Sequence, residues 1–141
     1  MKKRWKTSIF VTLFVIILLV SLLTACQKIQ KVEKNQVEKI TAWTHNTVKY
    51  ELNEEDSAKF IELYNVSKYE GKGTGEGGTP NFGITVYFFD GAYLRVNDFY
   101  GKLEVWLYDA DGDEKEWYYI SSNELYNYVS ELANKIDEIS K

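Results

Sequence analysis

The stretch NFGITVYFFDGAYLRVNDFYGKLEVWLY, residues Asn81 to Tyr108, decides the fold. Phe82, Ile84, Val86 and Phe88 alternate with Gly83, Thr85, Tyr87 and Phe89. After Asp90-Gly91, Ala92, Leu94 and Val96 alternate with Tyr93, Arg95 and Asn97. Leu103, Val105 and Leu107 then stand opposite Glu104, Trp106 and Tyr108. Side chains of a strand point to opposite faces in turn, so a period of two is the signature of half-buried strands. Asp-Gly between two such runs is a hairpin turn. The spacing therefore predicts strands over 81–89, 92–98 and 102–108, joined as an antiparallel meander.

Working outward, an acidic loop (109–113) leads to a further strand over 115–120. Ser121 and Glu124 have the spacing of a capping box, and Leu125, Tyr128, Val129, Leu132, Ile136 and Ile139 follow at helical spacing. Upstream, Gly71 to Pro80 is the stretch poorest in side chains and reads as a connector. Before it, Asn53 is a strong helix N-cap, and Glu54, Glu55 and Asp56 suit the positive end of a helix dipole. That helix should run to about Ser67. Val37–Trp43 and Thr47–Leu52 read as a first hairpin, with His45 at its turn. The expected order is β-β-α-β-β-β-β-α: an α+β domain over 37–141, with an antiparallel sheet of five or six strands and two helices on one face.

The chain has 141 residues, with 17 Lys/Arg, 21 Asp/Glu, one Cys, one His and one Pro. That count excludes a disulfide scaffold and a Cys/His zinc site. Residues 1–6, MKKRWK, carry four cations, and residues 7–25 carry no charge. A basic start, an apolar centre and small residues at the end make a secretory leader. The run ends Leu23-Thr24-Ala25-Cys26, which resembles the lipobox of bacterial lipoproteins. The resemblance covers residues 1–26. It implies that residues 1–25 are removed, that Cys26 receives a diacylglyceryl group, and that the protein is held on the outer face of the cell membrane by that lipid. Residues 27–36 are polar and read as a tether, spanning at most about 35 Å when extended. With the leader's cations gone, 13 Lys/Arg face 21 Asp/Glu, a net of −8. Such a balance argues against nucleic acid as a partner.

Three features bear on chemistry. Tyr87, Phe89, Tyr93, Arg95, Trp106 and Tyr108 fall on the sheet face opposite Phe82, Leu94 and Val105. Uncovered Tyr, Trp and Arg are the residues that anchor binding surfaces. Asp109, Asp111 and Asp113 occupy alternate positions of a tight loop, as in a calcium loop, but Glu114 stands where that loop needs Gly. They are candidate ligands of a weak calcium site and otherwise a solvated turn. Gly73-Thr74-Gly75-Glu76-Gly77-Gly78 matches a dinucleotide fingerprint in letters only. It follows a helix and enters a strand, so the helix N-terminus that would receive phosphate is missing. One His and one acylated Cys assemble no nucleophilic set. The expected function is a non-catalytic binding module for an envelope protein or peptide. The alternatives are an immunity-like trap for a cationic peptide, steered by the acidic charge, and a weak calcium sensor.

Overall fold

The computed structural model describes residues 28–46, 49–74 and 79–140. The leader, the lipobox with Cys26, and Gly75 to Gly78 lie outside the described residues. The elements are β1 (Val37–Thr44), β2 (Tyr50–Glu51), α1 (Glu54–Asn65), β3 (Lys68–Lys72), β4 (Phe82–Phe88), β5 (Tyr93–Phe99), β6 (Lys102–Tyr108), β7 (Glu114–Ser121) and α2 (Asn123–Ile139). The fold is α+β. The described strands form one antiparallel sheet of seven, in the order β2-β1-β4-β5-β6-β7-β3. No helix of the described residues is long and apolar enough to cross a membrane.

The central meander β4 to β7 follows the period-two pattern. Its inward residues Ile84, Val86, Leu94, Val96, Leu103, Val105, Tyr118 and Ile120 are buried. Phe60, Leu63 and Tyr64 of α1 and Leu125, Val129, Leu132 and Ile136 of α2 join them in one core, on one face of the sheet. Each fully buried aliphatic side chain contributes about 1.5–3 kcal/mol relative to exposure. Asn53 caps α1, its Oδ1 accepting the Asp56 N–H at 2.8 Å.

The structure corrects four expectations. A strand absent from the predicted order, β3, pairs with β7 at the sheet edge and takes Gly71 and Lys72 from the expected connector. Its sequence, Lys-Tyr-Glu-Gly-Lys, has the charged, glycine-broken composition by which edge strands resist further pairing. A register shift beside Glu70 and φ of +143° at Gly71 mark a bulge there. Second, β2 is only Tyr50–Glu51, shorter than the predicted 47–52. Third, α2 is capped by Ser122, whose Oγ accepts the Leu125 N–H at 3.1 Å. Ser121 ends β7 opposite Lys68 and donates to Glu70 at 2.6 Å, so the Ser121–Glu124 box does not form.

Fourth, the stretch read as a tether is docked against the core through Ile29 and Val32. Ile29 and Val32 are 6% and 1% exposed. The Val32 N–H donates to Asn65 Oδ1 at 2.9 Å, and Asn65 Nδ2 donates to the Val32 carbonyl at 2.8 Å. The Gln30 N–H donates to the Tyr118 hydroxyl at 3.1 Å. Two apolar side chains three apart, with paired backbone groups between them, suffice to dock a polar segment against the core.

Candidate functional site

The sheet face away from the helices carries three rows of side chains, fixed by strand register. One row is Lys39, Tyr87, Tyr93 and Tyr108. The next is Thr41, Thr85, Arg95, Trp106 and Trp117. The third is Trp43, Gly83, Asn97, Glu104 and Tyr119. Tyr87, Tyr93, Arg95, Trp106 and Tyr108 are thus brought onto one face. Phe89 is not. β4 ends at Phe88, where the Gly91 N–H turns back to the Phe88 carbonyl at 3.0 Å, so the alternation stops one residue short. Phe89 is 70% exposed in that turn, beside Gln30, Asn35 and Gln36.

Trp43, Trp117 and Tyr119 belong to the face and were not singled out from sequence. The signal for the latter two was available, since Trp117 and Tyr119 alternate with Tyr118 and Ile120 in the last strand.

The rings stack on one another across strands. Tyr93 and Tyr108 lie 4.5 Å apart at 13°, and Trp106 and Trp117 lie 4.2 Å apart at 14°. Tyr87 approaches Tyr93 at 6.1 Å, and Trp106 approaches Tyr108 at 6.5 Å. Strands are about 4.8 Å apart, so rings stacked at this spacing stand upright and turn their edges outward. A ring edge carries the positive part of the quadrupole. Cations complete the ladder. Arg95 Cζ lies 5.3 Å from the Tyr93 ring and 5.5 Å from Tyr108. Lys39 and Lys49 reach Tyr87 at 5.4 and 5.5 Å. Burial pushes the Tyr108 phenol above its usual range, with Arg95 opposing.

Two glycines allow close approach. A Cβ on Gly83 would fall 2.6 Å from Trp43 Nε1, so the indole lies over the strand there. A Cβ on Gly73 would fall 2.2 Å from Trp117 Cδ2, because the chain after β3 crosses that indole while its N–H bonds the Trp117 carbonyl at 2.9 Å. Between Lys49 and Arg95 the face dips into a depression of about 360 Å³, walled by Trp43, Tyr87 and Asn97 over Thr41 and Thr85. Asn97 Oδ1, Trp106 Nε1 and Trp117 Nε1 are buried without a hydrogen-bond partner among the described residues.

The acidic loop is arranged differently from a calcium loop. Asp109 Oδ1 accepts the N–H groups of Asp111 at 3.1 Å and Asp113 at 2.9 Å. Lys115 Nζ sits 2.5 Å from Asp109 Oδ2. The Lys115 ammonium, then the backbone donors, hold the Asp109 carboxyl below its usual range. Asp109 thus braces the hairpin, and Asp111 and Asp113 stand exposed beside it. Among the described residues, no three His, Cys, Asp or Glu side chains are grouped to hold a metal. His45 is exposed just past the end of β1.

Comparison with known proteins adds no relative: no family model matches the chain, and neither a curated protein nor a solved structure matches it significantly.

Proposed function

We propose that the protein is a lipid-anchored, extracytoplasmic, non-catalytic binding module that engages an envelope protein or peptide through the open face of its sheet. The lipobox-like Leu23-Thr24-Ala25-Cys26 supports the anchor and the location on the outer face of the cell membrane. One observation carries the binding role. The helices cover only one side of the sheet, and the other presents upright rows of Tyr and Trp with Arg95 set among them. Rigid aromatic side chains lose little entropy on contact, and together with Arg they are the usual anchors of interfaces. The cations on this face favour it over the trapping of a cationic peptide.

The test is photo-cross-linking in the cell. A photoreactive residue replaces Tyr93 on the open face or, as the comparison, exposed Glu131 on α2. One envelope protein should be captured from position 93 and not from 131, and Trp106→Ala should lower that capture about tenfold or more. Cys26→Ser should abolish labelling by an alkyne fatty acid. Equal capture from both positions would refute the face. Persisting label in Cys26→Ser would refute the anchor.

A further inference from the structure

We infer that the depression between Lys49 and Arg95 is a subsite for a carboxylate carried by an acidic peptide segment. This inference rests on the open-face reading and specifies its ligand. Arg95 makes no ion pair and no hydrogen bond with the described residues, although its side chain is held in place by the Tyr93 and Tyr108 rings. A guanidinium fixed by stacking keeps its planar fork of donors free for a carboxylate. Lys49, across the depression, likewise pairs with no acid among the described residues and rests over Tyr87.

Two acids share this face, and neither forms an ion pair with Arg95 or Lys49 among the described residues. Glu104 is buried at 5% exposure in the adjoining row, and Glu51, opposite Thr41 at the sheet edge, borders a separate depression beneath that edge. The two cations are thus left without a direct counter-ion among the described residues. Their charge stands out on a chain whose net formal charge is −4 with its leader and −8 without it.

Both a carboxylate peptide and a phosphate polymer would answer two cations, and the walls of the depression separate them. Trp43 and Tyr87 line it beside Lys49 and Arg95. A peptide brings apolar side-chain and backbone surface for those rings along with its carboxylates. A polyphosphate chain brings charge with no apolar surface to set against them.

The experiment uses the full-length protein in a neutral maltoside detergent, titrated with hexaglutamate while tryptophan fluorescence is followed. Hexalysine and a linear polyphosphate of matched charge are the comparison probes. Hexaglutamate should give a saturable change that weakens with added salt. Arg95→Gln should weaken it about tenfold or more, the loss expected for one charge-assisted hydrogen bond. Lys49→Gln should weaken it in the same direction, and Lys135→Gln, on exposed α2 surface, should leave it unchanged. No response to hexaglutamate, or an equal response in Arg95→Gln, overturns the inference. Tighter binding of polyphosphate overturns the assignment to a peptide. Binding of hexalysine overturns the sign of the site, yet leaves the open face as a binding surface, whose own failure is read separately by the cross-linking.

Discussion

Val32→Ala is the substitution that most directly probes how the domain begins. Val32 is 1% exposed and lies in a segment whose composition looks like a free tether. Alanine removes two methyl-sized groups from the core. At about 0.8 kcal/mol each for transfer, plus the cost of the space left behind, the loss is about 2–3 kcal/mol. For a domain of this size that lowers the melting temperature by about 8–13 °C. The backbone bonds between Val32 and Asn65 are not touched by the change, so the loss measures packing and not the hydrogen bonds. The assay is urea denaturation followed by tryptophan fluorescence, with Lys28→Ala, an exposed neighbour, as the control expected within about 0.5 kcal/mol of the parent. A Val32→Ala loss below about 0.5 kcal/mol would refute the docking of residues 28–36 and restore a free tether.

Further outcomes follow from particular contacts. Gly73→Val places side-chain atoms where Trp117 now lies, 2.2 Å from the Cβ position. It should unstack Trp106 from Trp117 and change the near-ultraviolet circular dichroism, and an unchanged spectrum would refute the crossing. Burial first, then the neighbouring Tyr118, raises the Tyr64 phenol far above its ordinary value, and burial also raises Tyr118 and Tyr128. A raised phenol leaves stability whole below about pH 10 and erodes it above, as the unfolded chain releases its protons first. Urea midpoints should therefore fall above about pH 10, and Tyr64→Phe should flatten that fall. Because Asp109 is taken up by Lys115 and two backbone donors, millimolar Ca²⁺ added after EDTA should move the melting temperature by less than about 1 °C, and a larger rise would establish the calcium site.

The meander was legible because each of its strands obeys a period of two and has one face rich in apolar residues. The same period placed Tyr87, Tyr93, Arg95, Trp106 and Tyr108 together, since register in a hairpin meander follows from parity. Phe89 failed because parity says nothing about where a strand stops. β3 was hidden for a different reason: Tyr69 is its only large apolar residue, and its partner, β7, lies about fifty residues away in sequence. Ile29 and Val32 were hidden because two apolar residues in a polar run give no period. The depression at Lys49 and Arg95 depends on β1 lying beside β4 and on Trp43 folding over Gly83, neither of which is written in local pattern.

The strand order also bears on the sequence of events in folding. β4 to β7 close through short turns, whereas β3 must wait for β7 and the amino-terminal segment reaches across 88 residues from Gln30 to Tyr118. Thr44 meets Asp137 across 93. Contacts of such separation bear the loop-closure cost before any return, which slows folding. In a chain delivered from its amino terminus, Val32 can meet Asn65 of α1 early, whereas the bond from Gln30 to Tyr118 must wait for the last strand. The meander can form first as a template, and the two ends of the chain then clamp onto it in the final step.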